Sequence, residues 1–394
     1  MRDIVMFEDA YFDEKGAWFS ASTHNGLYYW DFERNTVRFM GMFPNEHPLG
    51  IRLHWGVVYC KGVLIFVPLN ARFLTKYDIS KGIFTCYDLS KEINLNEELF
   101  QCCSYVLVEN ELYLFPFRTK NVIRYNIENN EICVMKGWSE RISLCMKDNK
   151  SKNILLATRW DSKDTIAACG YGNRLFLCNI KDNSIKDIVI SNDKDEVFSD
   201  LTIKNDKVFL FSATSRSIYV YDYVLNKLEV YNYVCRDIGD SLNYIRGEWM
   251  NDNLFFLDQI KGIFFKFNEN MKTISEVRKV VCSEYITREF GDFSYDKFKR
   301  VKDGSLILCP LAQDKLIRIT PENVLQEIDI SHLKMINKEE HMCELIEKSS
   351  QSIGEKYFCN LTGFISYMKL NDNQNLMEKA YEKGNNIYKE LMRG

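Results

Sequence analysis

Proline is scarce in this chain, at six in 394 residues, and histidine at five. None of the histidines stands in an HExxH or other metal-ligand spacing, so no metal centre is expected, and nothing calls for a cofactor. No run approaches the ~18 apolar residues of a membrane helix. There is no GxSxG, no Walker loop and no GxGxxG; CGYGN at 169–173 reads as a turn. Basic residues are not in excess: the formal net charge is −4 and the pI about 5.9, which argues against a general nucleic-acid binder. The thirteen cysteines include no CxxC, and many, such as Cys60, Cys178 and Cys309, sit inside apolar runs where a reduced thiol behaves as a small hydrophobe. The start, MRDIVMFEDAYFDEKG, has acids where an export signal would have its apolar core. A reducing, cytoplasmic location is the expectation.

What is plentiful is aromatic: 26 Phe and 22 Tyr, in short runs broken by turns. Residues 208–233, VFLFSATSRSIYVYDYVLNKLEVYNY, set a pattern that recurs at 17–40, 62–89, 111–135, 165–190, 253–278 and 304–330. An apolar run meets a short polar loop. A second run ends in Trp30-Asp31, Tyr77-Asp78, Tyr125-Asn126, Cys178-Asn179, Tyr221-Asp222 or Phe267-Asn268, and the last copy departs with Ile319-Thr320. A turn and a third, alternating run follow. One further strand precedes each copy. Four strands repeating at roughly 43 to 53 residues are the blades of a β-propeller. The fold expected is all-β, seven-bladed, over 1–331. Residues 2–6 complete the last blade, or the ring closes with no shared blade.

The YD/WD-like strand ends resemble those of the broad superfamily of seven-bladed propellers, with kelch-like, WD-repeat-like and YVTN-type repeats. The kelch double glycine, the WD Gly-His and the sialidase Asp-box are absent at the equivalent positions.

From Ser331 helix formers replace strand alternation, in HMCELIEKSS, LTGFISYMKL, LMEKAYEKG and NIYKELM. A helical extension over 332–394 is expected, either packing on the propeller or holding a partner or a second protomer.

Propellers carry their sites on the face where loops join second to third strands and lead into each new blade. Those loops bring Arg52, Arg72, Arg118, Arg216, Arg246 and Arg288 to one face. Arg52-Leu-His-Trp55 and Arg246-Gly-Glu-Trp249 share a spacing that would set a guanidinium by an aromatic wall. Convergent Arg forks suit carboxylates and phosphates. A binding or scaffold module for a protein, a peptide or an anionic ligand is therefore expected. The competing reading makes these arginines braces between blades and the two tryptophans core. An alternative lyase or hydrolase would use His24, His54 or Glu248 in the central funnel, although Glu248 and Glu289 equally suit pairing with nearby Arg.

Overall fold

The computed structural model describes residues 6–48, 50–92, 100–117, 121–146, 155–233, 244–259, 262–279, 295–310, 315–330 and 333–336. Seven antiparallel sheets follow one another along the chain, each meandering from an inner to an outer strand. The inner strands are Ala10–Phe12, His54–Cys60, Cys102–Val108, Leu155–Trp160, Phe198–Lys204, Ile245–Met250 and Tyr295–Arg300. This is the seven-bladed propeller that the repeat predicts, blade for blade.

Burial follows position in the blade. The second strand of every blade is buried at five consecutive positions. Both its faces lie against neighbouring blades, so runs such as Leu64–Pro68 and Val208–Ser212 carry no solvent-side alternation. The outermost strands are far more exposed, as in Lys227–Asn232.

The Tyr-Asp signature has a hydrogen-bonding cause. Each Asp or Asn side chain accepts from backbone N–H groups of the turn it begins: Asp31 from Arg34 at 3.0 Å, Asp222 from Val224 and Leu225 at 3.1 and 2.8 Å, Asn268 from Met271 at 3.0 Å. Asp78, Asn126 and Asn179 do the same. Each turn then needs a left-handed residue, supplied by Asn35, Gly82, Asn130, Asn183, Asn226, Lys272 and Asn323, all with φ between 49° and 67°. In the seventh blade Thr320 replaces the acid, and its hydroxyl takes only a long 3.4 Å bond from Val324.

The loose stretch between blades three and four contains a helix, Lys136–Met146. It seals the gap with fully buried Trp138, whose Nε1 donates to Asn183 O at 2.9 Å.

Ring closure includes a strand that neither sequence expectation named. The seventh blade is complete within its own four strands. Lys334–Ile336 instead adds a fifth strand, parallel to Thr36–Gly41, on the outer edge of blade one. Behind this seam Phe12, Trp30, Ile307, Leu316, Ile330 and Leu333 share one apolar cluster. The expected extension at 332–394 thus begins with a ring-closing strand rather than a helix; its remainder, 337–394, and residues 2–5 lie outside the described residues.

Candidate functional site

The inner strands leave the regular ladder near one end of the channel. In blades two, three, four, five and seven a register shift falls in the first turn of the inner strand, at His54/Gly56, opposite Phe115/Pro116, at Leu155/Ala157, at Phe198/Asp200 and at Tyr295/Phe298. A bulge re-aims the side chains around it. Here Trp55, Cys103 and Leu156 sit at the bulges and line a cavity of about 210 Å³ in the channel.

Polar residues complete the lining: Ser104, Tyr105, Thr158, Arg159, Asp200, Arg246, Glu248, Lys297 and Lys299. They form two networks. In the first, buried Asp9 of blade one is met by Lys299 of blade seven at 2.9 Å, by Lys297 at 3.8 Å, by the Val57 backbone N–H at 3.1 Å and by the Tyr105 hydroxyl. Lys297 donates to Trp55 O at 2.5 Å and stands 4.6 and 4.8 Å from the Trp55 and Tyr105 ring centres. Gly56 makes this possible: a Cβ there would lie 2.2 Å from the Tyr105 ring.

In the second network Arg159 of blade four faces Asp200 at 3.5 Å and Glu248 at 3.7 Å, from blades five and six. Burial opposes the Arg159 charge, but those two carboxylates outweigh it and hold the guanidinium more firmly protonated. The carboxylates are fixed from behind. Asp200 Oδ2 accepts from Gly247 N at 3.1 Å; Glu248 Oε1 accepts from Thr202 Oγ1 at 3.2 Å and Trp249 N at 2.9 Å. Ser104 Oγ donates to Thr158 Oγ1 at 2.8 Å.

Of the residues singled out in the sequence, Trp55, Arg246 and Glu248 meet here. The shared Arg-x-x-Trp spacing does not superpose. Arg52 precedes its strand, so Trp55 faces the channel at the register that Arg246 holds in blade six; Trp249 turns away and packs on Phe209 at 4.9 Å. Arg246 donates to Ser199 O. Arg52 pairs with buried Glu8 and lies 5.8 Å from the Trp55 ring, and Arg72 pairs with Asp88 at 3.0 Å. Arg216, half-buried with φ 53°, occupies the loop of blade five. Arg118, Arg288 and Glu289 lie outside the described residues.

The two histidines belong to packed interior. His24 bonds Thr23 Oγ1 at 2.9 Å and Tyr28 OH at 2.5 Å. His54 is 5% exposed, packs at a tilt against Phe43 with ring centres 4.2 Å apart and bonds Ser20 Oγ at 3.0 Å through Nδ1. Burial pushes its pKa down to about 3, so it is neutral at ordinary pH.

Sequence reasoning missed Asp9, Tyr105, Arg159, Asp200, Lys297 and Lys299. A signal was there: in CCSYVLV, LLATRW, FSDLTIK and YDKFKR polar residues interrupt the innermost strand of a blade. Among the described residues no group of three or more His, Cys, Asp or Glu is placed to hold a metal, and no helix is long and apolar enough to cross a membrane.

No family model and no curated protein matches the chain. Solved structures do. A streptogramin B lyase aligns at TM-score 0.58 with 12% identity, over 83% of this chain and 94% of its own. Virginiamycin B lyase from Staphylococcus aureus aligns at 0.53 with 14% identity, over 70% and 84%. A chain of the mitotic checkpoint complex aligns at 0.54 with 9% identity, over 82% and 86%. At such identities the shared property is the propeller fold, which serves lyases and a multiprotein complex alike.

Proposed function

We propose that the protein is a binding module that seats an anionic group in the upper channel. One observation carries this: four cations, Arg159, Arg246, Lys297 and Lys299, converge on a cavity where three carboxylates, Asp9, Asp200 and Glu248, answer them. Low-dielectric walls strengthen the attraction of these cations for an anion. The rim arginines Arg52 and Arg72 are engaged by carboxylates of the chain itself, which moves the emphasis from the rim to the channel. The free state of the nine described cysteines supports a reducing, cytoplasmic setting.

The test is recovery of the full-length protein from its own cells, followed by mass spectrometry of whatever is released on denaturation. An anion or acidic partner should accompany the wild type and a Lys163→Gln control, altered on the opposite face, and be lost from Lys297→Gln. Equal recovery from all three would overturn the reading.

A catalytic reading rests on Glu248, the one catalytic candidate that faces the cavity. It requires that Glu248→Gln bind the released compound but fail to convert it. The wild type returning that compound unchanged would remove it.

A further inference from the structure

The seam between blades seven and one carries a second cavity, an open groove of about 630 Å³, larger than the one in the channel. Blade one walls it with Phe12, Trp30 and Phe32, and blade seven with Ile307, Leu316 and Ile328. We infer that residues 361–370 of the same chain, LTGFISYMKL, dock in this groove as an amphipathic helix. They lie outside the described residues.

The molecule fills the matching gap between blades three and four in this way. There the helix Lys136–Met146 sets Trp138 against Tyr113 and Phe115 of blade three, with ring centres 5.7 and 6.3 Å apart. Its indole donates to Asn183 O in the outer turn of blade four. Register places Ile307 and Cys309 of blade seven where Tyr113 and Phe115 stand, since Leu306 pairs with Ile319 as Leu112 pairs with Tyr125. Asn35 holds in blade one the left-handed turn position of Asn183, and it lines the groove. The seam thus repeats the helix-receiving geometry, with smaller side chains on the blade-seven side. Among the described residues no helix enters it. Phe32 in its wall is 39% exposed, and the Trp30 indole N–H is buried with no acceptor among the described residues.

The occupant is the chain's own because of where the closing strand delivers it. Lys334 pairs with Thr36, next to Asn35 in the groove wall, so the residues after Ile336 are tethered beside the opening. Tethering makes the encounter intramolecular, at an effective concentration up to about the millimolar range for a flexible linker. Within 361–370, Leu361, Phe364, Ile365 and Met368 recur at i, i+3, i+4 and i+7, while Thr362, Ser366 and Lys369 fall on the other side. Of the four helix-forming stretches beyond Ile336, this one alone carries a phenylalanine, a large ring with no hydroxyl to satisfy on burial. Such a stripe needs an apolar surface to cover it, and the groove needs a cover of the same kind.

Hydrogen exchange read by mass spectrometry on the full chain tests the docking. Amides of 361–370 should exchange about tenfold or more slowly in the wild type than in Phe32→Glu. The reciprocal change separates docking from local damage to blade one. Phe364→Asp, which leaves every blade intact in sequence, should speed exchange in the 32–35 turn and lower the unfolding temperature. The inner strands of the blades should stay protected in both variants. In the double variant the melting loss should not exceed the larger single loss, because both substitutions break one contact. Free exchange of 361–370 in the wild type, protection untouched by Phe32→Glu, or additive melting losses would overturn the inference. Light scattering that finds the protection only in a dimer would also overturn it, and would give the groove to a second copy's tail.

Discussion

Buried His54 and half-buried Glu46 pull stability in opposite directions with pH. His54 has a folded pKa of about 3 against an ordinary 6.5, so as pH falls the unfolded chain takes the proton first and stability is lost between 6.5 and 3. Glu46 is pushed the other way, to about 7 from 4.5, because its burial outweighs the N–H groups of Phe73 and Arg72 that favour its charge. The folded state takes that proton first, so this contribution is lost as pH rises from 4.5 to 7. Between 4.5 and 6.5 the two effects cancel. Denaturant unfolding stepped through that window should be nearly flat for the wild type as far as these groups act. Glu46→Gln should lose stability toward low pH and His54→Gln toward high pH, by up to ~1.4 kcal/mol per pH unit for a full proton. Parallel curves for all three proteins would refute the assignment. Gly56→Ala makes a second prediction. It drives the Tyr105 ring off Asp9 and should cost about 1–3 kcal/mol in unfolding free energy, an overpacking penalty.

At the scale of the strand and turn, the Asp or Asn that begins each outer turn is the repeat's chemical reason. Replacing it should cost stability in any of six blades: Asp222→Ala, about 1 kcal/mol by thermal unfolding. The seventh blade lacks it, and Thr320→Asp should be stabilising by about 0.5–1 kcal/mol. A neutral result there would mean that the long Thr320 bond already suffices. This same chemistry is why seven blades are legible in the sequence: it is local, and it recurs. The channel was not legible because its contacts are neither. Lys299 meets Asp9 from the far end of the propeller, and the bulges that turn Trp55 toward solvent leave no mark in residue type. The apparent Arg-x-x-Trp motif misled for that reason. Its two copies start at different heights on their strands, so equal spacing placed Trp55 in the cavity and Trp249 in the core. The closing strand, Lys-Met-Ile, is too short to show any period.

For the whole molecule, the seam between blades seven and one decides integrity. Removing 332–394, which would test the tail as an oligomer clasp, also removes Leu333 and the Lys334–Ile336 strand. Truncation before Leu333 should therefore lower the unfolding temperature well below that of a chain ending at Ile336. Equal melting of the two would show that the parallel strand adds nothing to closure.

That strand also sets a schedule for synthesis. The edge it covers, Thr36–Gly41, leaves the ribosome some 300 residues before its partner at 334–336. At ~5–20 residues per second, blade one waits about 15–60 s with an open β-edge. An uncovered edge is a template for pairing with other chains. The nascent protein is thus most exposed to aggregation through its first blade, and a slower ribosome or a truncated message would lengthen or perpetuate that exposure.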